Sequence, residues 1–274
     1  MKKILKIIFN KKFIFYFKIL YSKLTSDYVI HKPLGSLKCY IEQHKAEIKR
    51  KYHHIDNFLV YKKIDNEFIN NLASITQNSI KNVKSNFQHG KIIYSELINY
   101  IKRKRKNNLF LVDVGSAKGF SSVIMAKVIK ECKVKGKIFS LDIIPHNKKI
   151  YWNAPTDWKY GKISRETLLR KYNKFLKIIT FYNGDSKKSL SKLKLKQVHF
   201  AFIDGSHDYE DVKKEFELIS AKQNRGDIII FDDCTKGVYD GVVGVVNYIT
   251  KSKKYHCKKI YSSENRGYAV CYKI

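Results

Sequence analysis

The sequence predicts an α/β fold: a doubly wound, mostly parallel sheet of seven strands, with a C-terminal antiparallel hairpin and an α-helical N-terminal extension. Two observations carry this. Beyond residue 108, five short, nearly continuous apolar runs recur: "LFLVDVG" (109–115), "KIFSLDI" (137–143), "IITFYNG" (178–184), "VHFAFIDG" (198–205) and "DIIIFDD" (227–233). The first four each lead into a helix-like segment. Continuous rather than alternating hydrophobicity marks strands buried on both faces, as in a parallel sheet covered by helices on each side. The last two runs, "YHCKKIYS" and "GYAVCYKI", are joined by a short polar connection, which suits an antiparallel pair closing the sheet.

The N-terminal stretch "MKKILKIIFNKKFIFYFKILYSK" is apolar, aromatic and basic, and Lys6, Lys11, Lys12 and Lys18 interrupt it. It therefore lacks the uninterrupted run a membrane span needs. It also lacks the h-region and cleavage site of a signal peptide. Residues 1–22 suit a helix lying on an anionic membrane surface, or an ordinary docking helix. Residues 24–60 show no clear period. From Asp65 to about Val83, the spacing of Phe68, Leu72, Ile75 and Ile80 predicts a helix with Asp65 as its N-cap. "SELINYIKRKRK" (95–106) predicts a second helix with a basic end. The expected organisation is an extension over 1–64 and a catalytic domain over 65–274, the latter split into a helical lead-in (65–108) and a core (109–274). Neither internal repeats nor low-complexity linkers interrupt it.

Composition bounds the partners. With 274 residues, 44% of them hydrophobic, the chain can bury a large core. A net charge of +31 attracts nucleic acid, anionic lipid or phosphate-bearing substrates and says nothing of fold. The charge is uneven: residues 204–240 hold 10 of the 24 acids, so the acids are concentrated late in the sheet. The five cysteines have no paired or metal-ligand spacing, which suits reduced thiols in a cytoplasmic protein, peripheral on the inner face of the membrane where residues 1–22 lie on that surface.

Ligands of open parallel sheets bind beyond the carboxyl ends of the strands. Asp113, Asp142, Asp185, Asp204 and the pair Asp232–Asp233 each close or follow an apolar run. In "DVGSAKGFSS", Gly115 and Gly119 permit a tight turn and close backbone approach, and Ser121 and Ser122 open the next helix. The spacing is G-x-x-x-G, unlike the G-x-G-x-x-G of a dinucleotide fingerprint. Asp142, ending the second run, is placed to accept from both hydroxyls of a ribose. A glycine loop with a ribose acid points to an adenosine-type cofactor.

"LVDVGSAKGFSS", "LDIIPH", "NGDS", "FIDGSHDYEDV" and "GDIIIFDDC" resemble the successive motifs of class I S-adenosylmethionine-dependent methyltransferases. More narrowly, they resemble the bacterial metal-dependent sugar O-methyltransferases of the macrocin type. The resemblance covers residues 88–274. It implies a Rossmann-like methyltransferase fold, S-adenosyl-L-methionine as cofactor, and cofactor contacts from Asp113, Gly115, Ser116, Gly119, Ser121, Asp142, Asp185, Ser186 and Asp204. It also implies a sugar or glycan hydroxyl as acceptor.

Such a hydroxyl is too weak an acid to ionise unaided, so a cation and a base are expected beside it. Asp204, Asp232 and Asp233, on neighbouring strand ends, suit the cation, and oxygen ligands favour Mg2+ or Mn2+. Capping or pairing with lysines is the ordinary alternative for these acids. His207, three residues past Asp204, is the candidate base, because an unperturbed imidazole titrates near neutrality. Both tryptophans fall in "YWNAPTDWKYGKIS" (151–164), an acceptor loop or a packed crossover. A nucleic-acid methyltransferase is the first rival reading, but the chain has "IDGSHDY" where a base-amino methylase carries a D/N-P-P-Y/F motif. A non-catalytic binding module and a homo-oligomer are compatible with the same residues.

Overall fold

The computed structural model describes residues 32–81, 85–263 and 266–274. The stretch 1–22, read as a membrane-surface helix, lies outside the described residues. The region without a clear period contains two helices. The first, α1 (Leu37–Lys49), starts where the Ser36 side chain accepts from Cys39 N, and it buries Tyr40 and Glu47. The second, α2 (His53–Phe58), buries Ile55. Next, α3 (Asn66–Thr76) starts on Asp65, whose side chain accepts from Phe68 N as the sequence predicts. It stops short of Val83: the amides of Gln77 and Asn78 both fold back onto Ala73 O, and the Asn78 side chain donates to Tyr40 O.

The basic helix is longer than predicted. Running over His89–Lys104, α4 begins a turn and a half earlier and ends on Arg105 in the left-handed conformation. Gly90 allows the early start, because a Cβ there would meet the Phe120 ring at 2.7 Å. Arg103 and Lys104 donate to the carbonyls of Gly226 and Arg225, so the basic end ties the helix to the loop before the fifth strand.

The core alternates strand and helix: β1 (Asn108–Val114), α5 (Phe120–Glu131), β2 (Lys135–Asp142), then a long crossover with three short helices, α6 (Pro155–Tyr160), α7 (Arg165–Leu168) and α8 (Asn173–Leu176). It continues with β3 (Ile179–Asn183), α9 (Ser186–Lys192), β4 (Phe200–Ile203), α10 (Tyr209–Ser220), β5 (Ile228–Phe231), α11 (Asp240–Lys251), β6 (Tyr255–Ser263) and β7 (Arg266–Lys273). All seven predicted runs are strands. They form one sheet in the order β3-β2-β1-β4-β5-β7-β6, with only β7 and β6 antiparallel to their neighbours.

The strand pleat explains the continuous apolar runs. Leu109, Leu111, Phe200, Phe202, Ile228 and Ile230 point to the face covered by α3, α4 and α5. Their neighbours Val112, Val114, Ala201, Ile203, Ile229 and Phe231 point to the face covered by α10 and α11. Each large side chain fully buried this way contributes about 1.5–3 kcal/mol, so both faces must be apolar.

The thiols depart from expectation. Cys257 and Cys271 oppose each other across the β6–β7 ladder and are joined as a disulfide, where spacing alone suggested reduced thiols. The two residues are 14 apart in sequence, and only strand pairing brings them together.

The strand order reverses at β1, which lies between β2 and β4. The carboxyl ends of β1 and β4 therefore border the crevice where ligands bind. Gly115, at φ 79°, passes so close to β4 that a Cβ would sit 2.0 Å from Asp204 O. Gly184 is also at positive φ, 121°, yet a Cβ there would meet nothing within 4 Å. Gly115→Ala should lower the urea midpoint by an amount corresponding to well over ~1 kcal/mol, and Gly184→Ala by less, since only backbone strain is added there.

Candidate active site

The glycine turn is built around the buried Asp113 carboxylate. Ser121 Oγ donates to it at 2.7 Å, and Ser122 Oγ donates as well. Burial pushes Asp113 up to about 6, against the pull of these serine hydrogen bonds. Asp113 and Ser121 thus hold the turn by satisfying each other. Ser116, inside the turn, is 3% exposed and its hydroxyl has no hydrogen-bond partner.

Asp142 closes β2 beside this turn. Its two oxygens accept from Ala117 N and Ile144 N, both at 2.6 Å. Burial raises its pKa, and Arg165, 3.9 Å away, opposes the rise. Arg165 is 1% exposed and donates to the carbonyls of Ala117 at 2.7 Å and Ile144 at 3.1 Å. One guanidinium from the crossover thus clamps the glycine turn to the end of β2. Ile143, next to Asp142, exposes 52% of an apolar surface at the mouth of the crevice. An orphaned buried hydroxyl, a ribose-type acid and an exposed apolar platform fit an adenosine-containing cofactor.

At the end of β3, Asp185 caps α9, accepting from Lys187 N and Lys188 N. Ser186 Oγ donates to Glu215 Oε1 at 2.5 Å. Glu215 is buried, and its second oxygen has no partner.

Register decides the acid cluster. Ile203 pairs with Phe231, so Asp204 and Asp232 follow side by side. Their roles diverge because Asp233 adopts φ 55°, which turns the two adjacent side chains apart. Asp232 points inward: it accepts from Arg266 Nη2 at 2.7 Å and lies 3.9 Å from Nδ1 of the buried His89. Asp233 points to the crevice, with His207 Nε2 at 2.9 Å from its Oδ2. Its Oδ1 lies 3.4 Å from Arg266 Nε, so the same guanidinium also faces Asp233. The group whose ligand atoms lie within 4.8 Å of one another is Asp204, His207 and Asp233. The structure therefore brings His207 beside two of the three expected acids and engages Asp232 with Arg266 instead. Burial, then repulsion from Asp232 and Asp233, pushes Asp204 well above the carboxylate range. Two carboxylate oxygens and an imidazole nitrogen within 4.8 Å of one another fit a divalent cation.

Arg165, Arg266, His89 and Glu215 carry no motif signal. Arg266 leaves no mark in sequence because its partner acids are more than thirty residues away.

In the 151–164 stretch the tryptophans separate. Trp152 is fully buried and donates from Nε1 to Ile163 O, whereas Trp158 is 51% exposed on α6 beside the exposed Tyr160. The stretch is both packed crossover and exposed aromatic surface.

Burial pushes Glu215 from 4.5 up to about 7. A carboxyl whose folded pKa is raised stabilises the protein fully below its unfolded pKa and loses that contribution as pH rises through the folded value. The melting temperature should fall between about pH 4.5 and 7, and Glu215→Gln should flatten that slope. An unchanged pH dependence in the variant would count against a protonated Glu215.

Residues 112–234 match a family model described as a methyltransferase domain. The fold is similar to the O-methyltransferase from Bacillus cereus solved with SAH (14% identity, 81% of this chain and 96% of that one, TM-score 0.52). It is similar to TomG from Streptomyces achromogenes solved with SAM (11% identity, 81% and 95%, TM-score 0.53). It is also similar to the O-methyltransferase NovP (12% identity, 85% and 98%, TM-score 0.52). No curated protein matches the sequence. A family model described as a methyltransferase domain thus runs from β1 to the acid cluster, and the chain has the fold of these O-methyltransferases.

Proposed function

We propose that the protein transfers a methyl group from S-adenosylmethionine to a hydroxyl of a sugar or glycan intermediate, with a divalent cation, Mg2+ or Mn2+, at the acceptor side. The observation that carries the reading is the convergence of Asp204, His207 and Asp233 at the crevice between β1 and β4. Bound in that crevice, the cofactor supplies an electrophilic methyl on sulfur. Gly115, Ser116 and Asp142 would hold it, with Ile143 and Ser186 as further contacts. The remaining work is to orient a hydroxyl and accept its proton.

His207 suits the proton. It is 44% exposed, so an acceptor can reach it, and Asp233 at 2.9 Å fixes its ring. The Tyr239 ring, 4.4 Å away, limits its movement. Asp204 and Asp233 would hold the cation, which stabilises charge on the acceptor oxygen. The same short His207–Asp233 distance supports a second reading, in which the pair works as a base and its orienting acid without metal. The exposed Trp158 and Tyr160 support a sugar acceptor, since aromatic faces pack against sugar rings.

Calorimetric titration with S-adenosylmethionine, with and without Mg2+, tests cofactor and cation together. Binding of the cofactor is expected in both; its absence in both would remove the reading. Asp233→Ala should lower turnover by about 10^2-fold or more while cofactor affinity holds. Full wild-type turnover in a chelator would eliminate the cation and leave the metal-free pair. His207→Ala should lower kcat more than it raises KM; an unchanged kcat would rule it out as base.

A further inference from the structure

The outer side of α1 is apolar and, among the described residues, uncovered. Leu37, Ile41 and Ile48 recur at spacings of four and seven, which places them on one strip, and they are 43%, 44% and 44% exposed. Leu34, just before the helix, is 57% exposed. Lys38, Lys45 and Lys49, all exposed, form a second strip about a quarter turn away. Tyr40 and Glu47 face the protein on the other side. The acid on the outer side, Glu42, lies 3.8 Å from Lys38.

This strip adjoins the exposed aromatics of α6. Leu34 N donates to Tyr40 Oη, and Tyr40 Oη donates to Asn153 Oδ1 at 2.5 Å, so the start of α1 is held against the loop that carries α6. Beyond that loop Trp158 and Tyr160 are 51% and 53% exposed, with Lys159 Nζ 5.1 Å from the Tyr160 ring centre.

We propose that the outer strip of α1, with Trp158 and Tyr160, is a docking face for an anionic lipid surface. Apolar side chains beside a row of lysines suit the boundary of a bilayer, where lysine stems lie along the apolar surface and ammonium groups reach the phosphates. Tryptophan and tyrosine favour the same headgroup depth. The residues before α1 add charge of the same sign: residues 1–31 hold seven lysines and one aspartate. That charge also decides against a second copy as occupant, because packing strip on strip would bring two lysine rows together. The face adjoins the glycine turn, since Lys118 Nζ reaches Asn153 O at 3.5 Å. A docked protein would therefore take its acceptor from the lipid surface, a corollary that rests on the proposed reaction; the docking itself does not.

The full chain is mixed with vesicles of phosphatidylcholine alone or with phosphatidylglycerol, and bound protein is measured by sedimentation. Trp158 is a built-in probe, because Trp152, the other tryptophan, is fully buried. Binding to the anionic vesicles is expected, with a blue shift of emission that Trp158→Phe abolishes. Leu37→Glu/Ile41→Glu should weaken binding on the order of tenfold or more. Both positions are exposed, and an unchanged melting temperature would certify the fold of the variant. Undiminished binding by the variant overturns the proposal. So does emission that does not move, or binding that vanishes completely at 0.5 M salt, the mark of attraction by charge alone. Loss of vesicle binding in concert with a concentration-dependent dimer would assign the strip to a second copy.

Discussion

The site depends on one close approach. The backbone of Gly115 lies against Asp204 so tightly that no side chain fits between them. That contact joins the part of the crevice on β1 and β2, where the cofactor would lie in the proposed reaction, to the part on β4 and β5, where the acceptor would lie. A methyl group can move from sulfur to oxygen only if the two are held within about 3–3.5 Å of each other. A larger residue at 115 would spread β1 from β4 and lengthen that path. The same contact explains why the turn is G-x-x-x-G in form, with its other glycine, Gly119, in the left-handed conformation at the start of α5.

The second constraint is electrostatic. Three carboxylates at the ends of adjacent strands repel, and the fold manages them by dividing their tasks. Asp232 is neutralised by Arg266 from the β6–β7 hairpin and removed from the crevice. Asp204 and Asp233 remain there with His207. Breaking a buried pair such as Asp232–Arg266 leaves an uncompensated charge, which costs several kcal/mol. The antiparallel hairpin therefore does more than close the sheet: it carries the guanidinium that pairs with Asp232 at 2.7 Å and lies 3.4 Å from Asp233.

Much of this was legible in the sequence because it is local. Strand burial on both faces writes itself as unbroken apolar runs, and all seven were readable. The Asp65 cap, the glycine turn, the acid that closes β2 and the acids after β4 and β5 follow from near neighbours. Helix limits were less legible. The start of α4 depends on Gly90 meeting Phe120, and the end of α3 on Asn78 reaching back to Tyr40. Helix α1 escaped detection because its outward face is apolar and its inward face holds Tyr40 and Glu47, which inverts the usual pattern.

The sequence by itself determined the sheet, the glycine turn after β1 and the region of the acids, since each rests on periodicity or on residues a few positions apart. Tertiary structure alone decided which acids face the crevice, that Arg165 clamps the cofactor loop, and that Cys257 meets Cys271. Side-chain direction at a strand end depends on a single dihedral, here the φ of Asp233, and charge compensation depends on partners brought together by strand pairing. Neither leaves a periodic trace in the chain.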